Sequence, residues 1–323
     1  MRELIIRTNY EVLLDHFVDA MSRWSVFVAP HLYEYFDETF GITEEDEKHL
    51  EGYSKKRNEY DWDEESPLFD WAYEGFPDNE KYNELKPHIL YFEQRKTKDG
   101  SQTFKEILLS RSDDINRLLY SDFEIFKQKE KIDNVVNKMS ELLEYDKKNE
   151  SPLIAYLACS MSTSTQGGSN GKNIYAEVPL ELHTQWVNEY VSEILIHEYF
   201  HKAFFPHLYF EKLGGIFNWE NEKIYPDPMS LFFEEVLVYS SSSVYISGED
   251  PKKKLSKYSP EEYNNRHYIE YNNRHYILWK VIDLFYELIA DYLDDKILVD
   301  DARKRMLALC EKVVEEFKNN TRI

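Results

Sequence analysis

Leu195-Ile-His-Glu-Tyr-Phe-His-Lys-Ala-Phe204 places His197, Glu198 and His201 in the spacing H-E-x-x-H. On a helix, side chains four apart stand one turn above each other on one face, so both imidazoles can address a single ion. Glu198, about 100° around the helix from His197, then lies beside that ion, where a base acting on metal-bound water belongs. With ten His in 323 residues, chance supplies this pattern in roughly 0.03 sequences of this length.

Around the motif the apolar residues recur at three and four: Trp186, Val187, Tyr190, Val191 and Ile194. His197 and His201 continue the stripe through Tyr190 and Ile194, which predicts that they face inward. Thr184 as N-cap and Pro206 as stop predict one helix of about 20 residues with the motif in its last turns. Two core histidines satisfied by hydrogen bonds share this spacing, but they leave Glu198 on a mostly apolar helix unexplained.

Upstream, Leu153-Ile-Ala-Tyr-Leu-Ala158 reads as a buried strand, followed by the polar, glycine-rich 162–171 and a second strand, Ile174-Tyr-Ala-Glu-Val178. The glycine connector lacks the Gly-Lys-Ser/Thr ending of a phosphate loop and leads into a strand, so a hairpin loop is expected. This order sets a sheet edge, Ile174 to Val178, beside the metal helix, where it can hold an extended peptide by β-addition. Downstream, 206–229 reads as an irregular loop. Leu231-Phe-Phe-Glu-Glu-Val-Leu-Val-Tyr239 reads as a helix with two carboxylates among apolar neighbours. A buried carboxylate needs a partner, and a two-His motif about 33 residues upstream needs a third ligand.

The first 150 residues predict a mainly helical region, with periodicity at 12–21, 27–40 and 112–146, a charged, solvated stretch at 43–65, and one β-hairpin. The hairpin is expected from Ile89-Leu-Tyr-Phe92 and Phe104 to Leu109 flanking Lys98-Asp-Gly100, a good turn former. The charged run Tyr145 to Glu150 ahead of Ser151-Pro152 marks the best boundary, giving a region 1–150 of unassigned role and a catalytic region 151–323. Glu262-Tyr-Asn-Asn-Arg-His-Tyr-Ile269 recurs unchanged as 270–277. Eight residues turn a helix about 80° past two full turns, so at most one copy can serve a given site. Two amphipathic helices, 277–293 and 302–317, complete the expected set.

Aromatic content is high, with 25 Tyr, 19 Phe and 6 Trp, so the chain has the means to build a core. A net charge of −22 repels nucleic acid and anionic membrane, and neither is expected as a partner. Cys159 and Cys310, far apart, suggest no disulfide scaffold and no thiolate metal site, so a metal must use His and carboxylate. MRELIIRTNYEVLLDHF has no signal-peptide pattern and no run of about 18 apolar residues occurs, so a cytoplasmic location is expected.

At His197-Glu-Tyr-Phe-His201 and Phe232-Phe-Glu-Glu-Val-Leu-Val238 the chain resembles the gluzincin metallopeptidases, the thermolysin-like zincins. The likeness covers about residues 151–243. It implies an α+β fold with a zincin-like core, in which a small mixed sheet with an edge strand packs on the HExxH helix. It also implies a Zn2+ ion held by His197, His201 and a third ligand from the second helix, Glu235 in the best register and Glu234 if the pattern shifts by one. The implied activity is peptide-bond hydrolysis on a peptide or protein substrate, with Glu198 as general base. Val236 and Val238 stand where the family has small residues, and Tyr239 stands where it has a carboxylate that orients a ligand His. A protein that keeps the fold and binds zinc or peptide without cleaving is the alternative these departures imply. The oxyanion would need a further donor, for which Tyr268, Tyr276, His275 and Arg274 are candidates together with His267 and Arg266.

Overall fold

In the computed structural model of the chain, the apolar run after Glu3 is a strand, β1 (Leu4–Arg7), and it pairs in parallel with β2 (Leu153–Cys159), 149 positions later. The structure describes residues 3–22, 31–59, 68–76, 78, 82–118, 120–144, 152–162, 166–170, 173–179, 184–204, 223–224, 227–257 and 266–320. Among these the chain is mixed α and β, mostly helical, with one four-stranded mixed sheet and a two-residue ladder, Lys223–Ile224 with Asp227–Pro228. No described helix is long and apolar enough to cross a membrane.

The chain clusters into two compact units. One comprises residues 2–127 and 151–198, the other 128–150 and 199–323. The expected boundary stretch Tyr145 to Glu150 lies outside the described residues. Residues on both sides of it contribute to each unit.

In the unit of 2–127 and 151–198, β3 (Gly167–Asn170) and β4 (Asn173–Val178) complete the sheet in the order β1-β2-β4-β3. β2 and β4 are parallel, while β3 runs antiparallel to β4. Ile174 to Val178 is therefore an interior strand and not the edge expected from the sequence; the edges are β1 and β3, and β3 is formed by the glycine-rich connector itself. Parallel pairing on both sides of β2 explains its continuous apolar run, since Ala155, Tyr156, Leu157, Ala158 and Cys159 are all fully buried.

Helix α1 (Tyr10–Met21), with Asn9 accepting from the Val12 amide at 2.8 Å, packs against β2, with Val12, Leu13 and Phe17 fully buried. Around it come α2 (His31–Phe40), α3 (Glu44–Asn58), α4 (Leu68–Tyr73), α5 (Tyr82–Tyr91), α6 (Phe104–Asn116) and the short α7 (Glu124–Lys127). Phe17, Phe36 and Phe104 meet edge to face in the core between them. Glu177 on β4 is fully buried and accepts from His16 on α1 at 2.8 Å, His31 on α2 at 3.0 Å and the Gln166 amide at 3.0 Å.

The β-hairpin expected over 89–109 is absent. Its Asp-Gly turn is real, with Gly100 at φ +73° and a bridge between Lys96 and Thr103, but helices flank it. A capping box decides the matter: Thr103 accepts from the Glu106 amide and Glu106 returns to the Thr103 amide at 2.7 Å, starting α6. The expected 112–146 helix is also broken, because α6 ends at Asn116 and Glu124, at the start of α7, donates its amide to the Ser192 hydroxyl at 2.8 Å.

In the unit of 128–150 and 199–323, α8 (Lys129–Leu142) packs on α13 (Val299–Asn320), and α12 (Arg266–Leu293) packs on α10 (Met229–Tyr239) and α13. Lys138 donates to the Leu293 carbonyl at 2.8 Å, capping the end of α12. The second octapeptide copy lies within α12, and the described side chains of that helix begin at His275.

Candidate metal centre

The motif lies on α9 (Thr184–Phe204), 21 residues long. The sequence expectation of one helix over this stretch corresponds to what is seen; Pro206, the expected stop, lies outside the described residues. The division between the two compact units falls within this helix, between Glu198 and Tyr199.

The inward stripe differs from the one expected. Val187, Val191, Leu195 and Ile196 are buried, whereas Tyr190 is 40% exposed and Ile194, His197 and His201 are only half-buried. The apolar face of α9 is thus rotated away from the histidines, and they sit on the flank where solvent reaches them. An ion that needs an open coordination position requires such access; a deeply buried pair would lack it.

Glu198 sits one residue further around the helix and is 8% exposed. Edge strand β3 lies against it: a Cβ placed on Gly167 would stand 2.2 Å from Ile194 Cγ2 and 3.2 Å from Glu198 Cγ. Gly167 is required for that approach, since any side chain there would push the strand off the helix. Tyr175, on β4, is held protonated well above the usual tyrosine range by burial, then by the charges of Glu177 and Glu198.

From α10, two adjacent carboxylates meet His201. Glu234, nearly buried, has Oε1 2.8 Å from Nδ1, and Glu235 has Oε1 3.6 Å from Nε2. A carboxylate only accepts, so Nδ1 carries a proton, and in the neutral ring this is the tautomer whose Nε2 can take an ion. His197, His201 and Glu235 each offer a ligand atom, all within 4.8 Å of one another, and among the described residues no other such group of three occurs. Glu234, the shifted-register candidate for third ligand, instead braces His201 from behind. The orienting carboxylate missing at Tyr239 thus has a counterpart in Glu234, five positions earlier on the same helix. Its signal was present in the adjacent Glu234-Glu235 pair.

Of the residues considered for the oxyanion, His275 and Tyr276 are half-buried on α12. The side chains of Tyr268, Arg274, His267 and Arg266 lie outside the described residues. Gly167 and Tyr175 went unrecognised as part of this neighbourhood in the sequence, where Glu234 entered only as the alternative third ligand.

No family model, curated protein or solved structure matches the chain.

Proposed function

We propose that the chain is a zinc-dependent peptidase of gluzincin type built on a zincin-like core. The reading is carried by one observation: His197, His201 and Glu235 converge within 4.8 Å while Glu234 fixes the tautomer of His201. Two imidazoles and one carboxylate suit a borderline ion such as zinc better than magnesium or calcium, which prefer all-oxygen sets. His197, His201 and Glu235 would hold it. When bound, zinc supplies the Lewis acidity that acidifies a water and polarises a scissile carbonyl.

The remaining work belongs to the chain. The Glu198 carboxylate takes a proton from the attacking water and delivers it to the leaving amine nitrogen. Its low exposure and its contact with β3 keep it oriented on one side of the helix. Glu234 holds the His201 ring in place, and β3 lies against Ile194 and Glu198 at Gly167. The antiparallel edge strand against the HExxH helix is the arrangement that supports the zincin reading of the sheet.

Glu198→Gln tests the mechanism. The variant is expected to retain zinc by metal analysis and to lose cleavage of a broad peptide library. Cleavage at the unaltered rate would overturn the role of Glu198. Tight zinc with no cleavage by the unaltered chain would assign a binding protein instead, and a chain free of zinc after mild purification would count against both.

A further inference from the structure

We propose that His49 on α3 and His88 on α5 form a second site for a divalent transition-metal ion, independent of the centre on α9. Their Nδ1 atoms lie 3.3 Å apart. An ion bonded to two imidazole nitrogens at about 2.0–2.1 Å and a tetrahedral angle sets those nitrogens about 3.3 Å apart, so the pair already has the span of a chelate.

Both rings are held in place. His49 stacks on Tyr91 with centroids 3.8 Å apart and planes 10° from parallel. His88 lies flat against the backbone of α3 at Gly52, where a Cβ would stand 2.3 Å from its Cε1 and 2.9 Å from its Nδ1. A glycine in a helix interior has a conformational cost, and here its bare Cα gives His88 the room to face His49. One turn before His49, Glu45 has Oε1 3.9 Å from Nε2, near enough for its charge to favour a cation on the ring but beyond hydrogen-bond reach. Glu44, Glu45, Asp46 and Glu47 share the first turn of α3 and give the surroundings a field that favours a cation.

Without metal, one Nδ1–H donates to the other Nδ1. Binding requires both Nδ1 lone pairs, so that proton moves to Nε2 of its own ring and no net proton is released. The remaining coordination positions are open to water. Two imidazoles with water select zinc, nickel or copper(II) over calcium and magnesium.

Zinc titration of the full chain against a chromophoric chelator tests the site, with the variants His49→Gln, His88→Gln, Gly52→Ala and His201→Ala. The unaltered chain is expected to take up two equivalents, and each of the first three variants one. Gly52→Ala keeps both ligands and is favoured by helix propensity, so its loss of the second ion reports crowding of His88 and not unfolding, which circular dichroism checks. If the α9 centre holds no zinc, the unaltered chain takes up one ion, His201→Ala also takes up one, and His49→Gln takes up none. In either case nitrogen NMR of His49 and His88 is expected to show both Nδ1 resonances shifting on zinc addition. Uptake unchanged in all of His49→Gln, His88→Gln and Gly52→Ala, or Nδ1 resonances that stay fixed, would overturn the assignment.

Discussion

His201 is gripped from both ring nitrogens by neighbouring residues of one helix: Glu234 accepts from Nδ1 at 2.8 Å, and Glu235 faces Nε2 at 3.6 Å. Adjacent residues on a helix point about 100° apart, so they can reach opposite edges of one imidazole only when the ring lies between them. The arrangement separates two functions that the sequence alone leaves interchangeable.

On the proposed reading, Glu235→Ala would remove a ligand, whereas Glu234→Ala would remove only the group that braces one. Zinc affinity is expected to fall about 10–100-fold in Glu234→Ala and further in Glu235→Ala. Chelator competition measures both. A larger loss at Glu234 than at Glu235 would reverse the two roles.

Gly167→Ala inserts a methyl 2.2 Å from Ile194 Cγ2. The expected destabilisation is about 1–3 kcal/mol. Ile194→Ala removes the clashing atom, so the double variant should recover part of that loss beyond additivity in a urea-unfolding cycle. Strict additivity would mean that β3 does not lie on α9 as described.

Two buried carboxylates give the fold opposite pH dependences. Burial, then the nearby charge of Asp19, raises Asp15 from 3.8 to about 7, against the lowering effects of Arg57 and the Tyr82 hydroxyl. Its protonated form is favoured in the fold, so its contribution is complete below pH 3.8 and is lost as pH rises through about 7. Asp15→Asn should therefore gain stability over the unaltered chain between about pH 4 and 7, with a slope of up to roughly 1.4 kcal/mol per pH unit. Glu177 behaves the other way. Burial raises its pKa, but the hydrogen bonds and charges of His16 and His31 outweigh it and hold the carboxyl below its usual 4.5. Its contribution is present above 4.5 and is lost as pH falls through the lowered value. Urea midpoints across pH 3 to 8 for Asp15→Asn and Glu177→Gln are the test, and a pH-independent difference in either case would remove the assignment.

Cys159 and Cys310 are free and buried. Burial pushes the Cys159 thiol up to about 12, with Arg111 opposing and Glu177 reinforcing the shift, and burial likewise raises Cys310 far above its ordinary value. Only thiolate reacts with iodoacetamide, so neither should label in the native chain while both label in urea. Rapid native labelling of either would contradict its burial.

Helix α9 was legible because its signal is local: four-residue spacing on a helix depends on nothing beyond the helix itself. The sheet was legible as strands but not as pairings. Leu153–Cys159 and Asn173–Val178 carry the apolar runs of strands buried on both faces, yet nothing in those runs says whether they pair in parallel. Gly167 and Gly168 hid the true edge, since glycine leaves no side-chain alternation to read. Over 89–109 a strong Asp-Gly turn outweighed the capping box at Thr103 and Glu106, although the box sets the next element. The inward face of α9 was placed too near Tyr190, because the apolar stripe was drawn through the histidines instead of through Val187, Val191 and Leu195. The choice between Glu234 and Glu235 depends on how α10 is turned toward His201, which is a tertiary fact with no trace in either residue's neighbours.

Strand β1 binds a partner that a ribosome makes much later. At about 5–20 residues per second, Leu153 is made roughly 7–30 s after Leu4. During that interval Leu4–Arg7 has no β2 to accept its amides, and α1 has only part of the surface it will cover. The order of translation thus keeps the amides and carbonyls of Leu4–Arg7 without their sheet partner until the 149 residues to Leu153 have followed.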